Sequence, residues 1–290
     1  MSTTVTPPPP APGTPAPPPA PASDGARAVA IVAIVLGAVV LGVTVVSAVV
    51  GTIASASVHT STRTVAVAGV DDVDLDASAG VVRVEFGDVD EAELEVTSSW
   101  GSERWRFERD GDTLEIASPD RSGWLGWFGW GWSGWFGDRS GDAVLRLPSS
   151  LEGVDADMSL SAGDLVADGT FGELDVSLGA GSFDIAGAAR SVSAEVSAGR
   201  GELDLEDVGE ANLSVSAGSL DARLSGTQPD SVEVDVSAGS LKLTVPDGDY
   251  AVQSDVSAGG FDNGIGSDPR ATRTIHVEVS AGEAVLRSER

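Results

Sequence analysis

The triplet Ser-Ala-Gly begins at Ser78, Ser161, Ser197, Ser216, Ser237, Ser257 and Ser280, with Ser177-Leu178-Gly179 as a variant, and no other feature restricts the possible fold as much. The consecutive glycines 163, 179, 199, 218, 239, 259 and 282 lie 16 to 23 residues apart. A period of about 20 residues marks an architecture in which one supersecondary unit is stacked on the next. Ahead of the triplets the chain alternates, as in Glu173-Leu174-Asp175-Val176-Ser177, Glu233-Val234-Asp235-Val236-Ser237 and Val277-Glu278-Val279-Ser280. Such alternation puts Leu and Val on one face of a strand and acid and Ser on the other. A second alternating piece follows each triplet, as in Leu203-Asp204-Leu205 and Leu241-Lys242-Leu243-Thr244-Val245. Glycine between two strands fits a sharp corner, where a positive φ costs it little. Gly187-Ala188-Ala189-Arg190 and Pro246-Asp247-Gly248-Asp249 read as corners on the other side. One unit is too thin to bury its own aliphatic residues, but a stack at about 4.8 Å per coil closes a continuous interior. The expected fold class is all-β: a β-solenoid, β-helix-like, of stacked coils of about 20 residues.

With the corners aligned, the position two before each corner Ser reads Asp76, Ser159, Asp175, Glu195, Ser214, Asp235, Asp255 and Glu278. This predicts a ladder of carboxylates on an outer face. A cation site is one reading, carried by Asp175, Glu195, Asp235, Asp255 and Glu278; a solvated face is the other.

Between Gly80 and Gly163 the repeat gives way to ordinary strands at Leu94-Glu95-Val96, Trp105-Arg106-Phe107, Thr113-Leu114-Glu115-Ile116 and Ala143-Val144-Leu145-Arg146-Leu147. Asp110-Gly111 is a hairpin signal between the second and third. Residues 123–137 then hold five of the chain's seven tryptophans among closely spaced glycines. Trp124, Trp127, Phe128, Trp130, Trp132, Trp135 and Phe136 form a candidate interaction surface. Indole has an apolar body and one N–H donor, so such a loop suits sugar rings or the boundary of an outer lipid leaflet, unless it covers the domain's own apolar edge.

Residues 1–27 are a Pro/Ala-rich tail, extended and disordered in expectation, with nothing to bury. Residues 28–53 are apolar and uncharged, long enough for a transmembrane helix. Ala54-Ser55-Ala56 has the small-x-small form of a signal-peptide cleavage site, but the length of the apolar run favours an uncleaved signal anchor. The expected topology is single-pass in the cell membrane, with a cytoplasmic N-terminus and an extracytoplasmic β domain over residues 60–290.

Asp24 and Arg27 cancel, so the formal net charge of -28 falls on the chain from His59 onward, which has a single lysine, Lys242. That balance excludes nucleic acid, whose phosphates require clustered cations. The absence of cysteine excludes disulfides and thiolate metal sites. His59 and His276 stand far apart, and no nucleophile with a base, metal cluster or phosphate cradle is evident. The expectation is no enzyme, no cofactor and no metal. Carboxylate pairs of the glycosidase kind arise here from the repeat itself, which leaves a polysaccharide-cleaving β-helix as the weakest alternative.

The strand end Leu145-Arg146-Leu147-Pro148, then Val154-Asp155-Ala156, the first Ser161-Ala162-Gly163-Asp164-Leu165, and serial strand-Ser-x-Gly-strand units resemble the bacterial DUF4097 family. That family is described as adhesin-like and is related to envelope-stress proteins of the LiaF/LiaG type. The resemblance covers about residues 60–290 and departs from the usual form in the Trp/Gly insertion. It implies a right-handed solenoid, a cell-envelope role and no catalytic residues. The function expected is a non-catalytic, membrane-anchored, adhesin-like module contacting glycan, outer-leaflet lipid or an envelope protein. An accessory sensor or regulator of envelope-stress signalling is the alternative.

Overall fold

A computed structural model describes residues 59–98, 105–119 and 142–289. Wherever the described chain alternates, it forms strand. The strands are β1 (His59–Val65), β2 (Asp72–Ala77), β3 (Gly80–Gly87), β4 (Ala92–Ser98), β5 (Arg106–Asp110), β6 (Thr113–Ala117), β7 (Asp142–Pro148), β8 (Val154–Glu206), β9 (Glu210–Ser225), β10 (Ser231–Val236), β11 (Ser240–Val245), β12 (Ala251–Asn263) and β13 (Thr274–Ser288). A single 3-10 turn at Ser149–Leu151 separates β7 from β8. The inward members of the alternation, among them Leu174, Ile185, Leu205, Leu213, Val236 and Ile275, are buried in one core. Their outward neighbours are acids, serines and threonines, which keep their hydration.

The triplets are corners. β9 pairs in parallel with β10 through residues 210–215 and, beyond Ser216-Ala217-Gly218, with β11 through 219–223. At the corners the backbones lie glycine upon glycine. A Cβ at Gly163 would strike Gly80, one at Gly181 would strike Gly163, and the series continues through Gly199, Gly218, Gly239, Gly282 and Gly259. Any side chain in this column would push neighbouring hydrogen-bonded strands apart, so glycine is required by close approach even where φ is unremarkable.

Three expectations are corrected. First, the coils do not form a consecutive stack behind a membrane helix. β9, β10, β13 and β11 pair in a ring, a closed four-strand barrel because β9 and β13 each bend and serve both sides, and the remaining strands make a flanking sheet. In that sheet β1–β4, β4–β7 and β5–β6 are antiparallel. The order also departs from the sequence: β13 lies against β10 and β11, and β12 pairs with β13 alone. The reason is in the inward residues. β13 presents Ile275, Val277, Val279, Ala284 and Leu286, all buried, whereas the register sets Ser254 of β12 opposite Val277 and Asn263 opposite Leu286. A unit with polar residues on its inner row belongs at an end.

Second, the glycine in the column is Gly181, not Gly179. Leu178 is buried like Val176 and Leu174, so this arm runs one alternation further before it turns. Third, no helix among the described residues is long and apolar enough to cross a membrane. Every apolar stretch there alternates as strand, so the single-pass topology, the membrane partner and the anchored form of both functional readings are withdrawn. The expected span at 28–53, the tail at 1–27 and the Trp/Gly segment at 123–137 lie outside the described residues.

Candidate binding face

The outward residues before the corners form columns across neighbouring strands. Asp235 and Glu278 are in register, and so are Glu278 and Asp255, giving three contiguous carboxylates. Glu195 is separated from Asp235 by Ser214. Asp175 is not in that column: it lies beside Asp157, which is in register with Asp74, which in turn faces Glu115. The two-residue shift at Gly181 moves Asp175 across. Among the described residues no group of three or more His, Asp or Glu is arranged to hold a metal ion.

The true concentration of charge is the row Glu115, Asp74, Asp157 and Asp175, flanked by Asp72 and Asp76. Burial, followed by the carboxylates of Glu115, Asp72 and Asp76, holds Asp74 above the ordinary carboxylate range. Burial, followed by Asp74 and Asp175, does the same to Asp157. Sequence reasoning missed this row. Its only signal was the 18-residue spacing of Asp157 and Asp175, which departs from the period of about 20.

Beyond Asp175 the columns change character. Ser193 and Asn212 stand in register, as do Asn212 and Glu233; in the adjoining column Ser191, Glu210 and Ser231 do likewise. Short side chains among longer acids leave a groove of about 340 Å³, lined by Glu173, Ser191, Ser193, Glu210, Asn212, Ser231 and Glu233 together with Val192 and Ala211. Its margin at Glu173 is tied down: Asp155 Oδ1 accepts the Glu173 backbone N–H at 2.7 Å and Arg190 Nη2 at 3.2 Å. Serine hydroxyls and the Asn212 amide both donate and accept, and the three glutamates accept only. The middle strand of the floor, β9, is paired on both sides, with β8 and with β10. No nucleophile and base are paired here, and His276, in register with Glu233, is exposed.

The chain matches the family model described as Toastrack DUF4097 over residues 63–265. No curated protein matches it. Among solved structures it is similar to a candidate adhesin from Bacteroides fragilis, at 14% identity and TM-score 0.48, covering 80% of this chain and 97% of that one. It is also similar to a candidate cell adhesion protein from Clostridium sporogenes, at 12% identity and TM-score 0.39, covering 80% and 100%. A candidate lipid-binding protein from Parabacteroides distasonis matches at 14% identity and TM-score 0.33, covering 81% and 98%. The family match spans the hairpin strands, the groove and all of the corner column but Gly282, and on it the chain belongs to the DUF4097 (Toastrack) family, whose domains are structural, non-catalytic modules.

Proposed function

We propose that the domain is a non-catalytic, adhesin-like binding module that takes a neutral, hydroxyl-rich glycan along the groove of β8, β9 and β10. The observation that carries this reading is the lining: Ser191, Ser193, Asn212 and Ser231 between Glu173, Glu210 and Glu233. Sugar hydroxyls donate to carboxylates and exchange hydrogen bonds with Ser and Asn in both directions, so this set suits a polyol without any catalytic pair. A protein partner would call for a large apolar or aromatic anchor, and the groove's apolar lining is limited to Val192 and Ala211. A polyanionic glycan is disfavoured by the net charge of -28. On sequence grounds alone, the tryptophans of 123–137 are offered as a second contact, since indole faces stack on sugar rings.

The test is a calorimetric titration with neutral oligosaccharides of several linkages, on the whole chain and on Asn212→Ala, Glu210→Gln and a deletion of 123–137. Binding that falls at least tenfold in Asn212→Ala, with thermal stability unchanged, is the result expected. Affinity indifferent to both groove substitutions would sink the reading, and loss only on deleting 123–137 would move the site there.

A further inference from the structure

The two ends of the sheet system are finished differently. At one end the β5–β6 hairpin lies on β2, with Trp105 and Phe107 buried and Arg63 Nη1 donating to the Trp105 carbonyl at 2.8 Å. At the other end stands β12, paired with β13 and with nothing else. Residues 253–259 are all exposed. Val256 is in register with Val279, which is fully buried, yet Val256 itself is 39% exposed. It occupies the interior row of a stack that lacks its next member.

The backbone is open along the same edge. The Ala251 amide donates to the Arg273 carbonyl, so odd residues of this arm face β13 and even residues face away. Val252 faces away, and the Ser267 hydroxyl occupies its edge, accepting the Val252 N–H at 2.9 Å and lying 3.1 Å from its carbonyl oxygen. Ser254 and Val256 share that orientation, and no side chain among the described residues takes their amides. A free edge of this length is what proteins ordinarily blunt with Lys, Pro or a covering loop. Among the described residues the hydrogen-bonding groups of this edge are covered at Val252 alone, with Ile265 packed against the core nearby.

We propose that the edge of β12 at Ser254 and Val256, ahead of the Gly259 corner, receives an extended segment of another protein by strand addition, and that the segment alternates basic with aliphatic residues. Main-chain pairing supplies the contact, the aliphatic row covers Val256, and the outer row meets the column Asp235, Glu278 and Asp255, which runs up to the edge with no Lys or Arg in it. A second copy of this chain does not fit. Pairing edge to edge would bring two such acidic columns together, with no Lys or Arg in either column to answer them.

The probe is a fluorescent peptide of four Arg-Val repeats, measured by anisotropy against the full chain at low and moderate salt. Two controls are a Glu-Val repeat and a peptide of the same composition with its arginines and valines in separate blocks. The alternating peptide is expected to bind at least tenfold more tightly than either. Val256→Lys, at an exposed position, should weaken it at least tenfold, and Ser254→Pro, which removes only an amide facing away from β13, should do likewise if it folds. Asn212→Ala should leave it unchanged, which separates this edge from the groove. Equal binding of the block peptide, or indifference to Val256→Lys, overturns the proposal, as does a dimer in sedimentation that Val256→Lys dissolves.

Discussion

A β-carbon at Gly181 would strike the Gly163 carbonyl, and its φ of 120° is one that L-residues rarely adopt. Gly181→Ala therefore meets steric overlap and backbone strain together, about 3 kcal/mol or more. Gly260, whose Cβ would meet nothing within 4 Å, is the matched control. Urea denaturation should show Gly181→Ala strongly destabilised or unfolded and Gly260→Ala close to the parent; equal losses would mean that the corner column is misplaced. Asp157 works in the opposite sense. Its carboxyl is held above the ordinary range, so the native state binds the proton more tightly than the unfolded chain, and stability falls as pH rises through the raised value. Asp157→Asn removes the desolvation of that charge and, with it, the repulsion from Asp74 and Asp175. It should stabilise by about 0.5 kcal/mol at pH 7, a screened surface effect, and by nothing near pH 3, where the wild-type carboxyl is already neutral in both states. Thermal melts at the two pH values decide it, and a gain that persists at pH 3 would assign the effect to something other than charge. Asp207 has the reverse sign. Hydrogen bonds from the Thr227 hydroxyl, 2.8 Å, and backbone N–H, 3.0 Å, lower its pKa, so its contribution is present at neutral pH and lost on acidification.

Among the elements, the exchange of β12 and β13 is the feature most open to direct test, because the chain has no cysteine to confuse a crosslink. Val236 and Val279 are in register, and the Ala281 amide donates to the Ser237 carbonyl, so Ser237 and Ser280 are immediate neighbours across the corner. In a consecutive stack the neighbour of Ser237 would instead be Ser257. Ser237→Cys with Ser280→Cys should oxidise to a disulfide in the folded protein. Ser237→Cys with Ser257→Cys, two strand spacings or about 9.6 Å apart, should not. Formation of the second crosslink alone would restore the sequential order. Strand positions and corners were legible in the sequence because burial of Val and Leu imposes a period of two, and glycine marks the turn. The order at the end was not, since the sequence pattern rewards each unit equally; only Ser254 and Asn263, polar on an inner row, carried the information. The carboxylate ladder was legible at Asp235, Glu278 and Asp255 and misread at Asp175, because Gly179 and Gly181 both lie at the turn and the buried Leu178 decides between them. The groove was not foreseen: Ser191, Ser193 and Asn212 are small on columns otherwise read for acids, and a hollow is visible only when neighbouring strands are set side by side.

At the scale of the molecule, 45 acids against 17 Lys and Arg give the folded chain a self-repulsion that parallel register intensifies. Stacking sets like residues about 4.8 Å apart, well inside the Debye length of about 10 Å at 0.1 M salt, so rows such as Glu115, Asp74, Asp157 and Asp175 are poorly screened from one another. Among the described residues the compensating pairs lie at the surface, and one of them, Arg106 with Glu115 at 2.5 Å, relieves the end of that row. Lys242 reaches Asp221 at 2.8 Å and Arg287 reaches Asp262 at 2.5 Å, each between partly exposed groups. Unfolding spreads the charges out, so repulsion opposes folding and salt should favour it. The melting temperature should therefore rise between 10 mM and 500 mM NaCl, with most of the gain below about 150 mM, where the screening length falls fastest. Calcium chloride at matched ionic strength should do no more than sodium, because no three carboxylates among the described residues converge on one point. Those two melts distinguish a diffuse field from a site. A salt-independent melting temperature would mean that the acidic rows are already neutralised. A rise saturating at micromolar calcium would mean that the column of Asp235, Glu278 and Asp255 closes on an ion, and the face would then be a ligand cage and not a solvated wall.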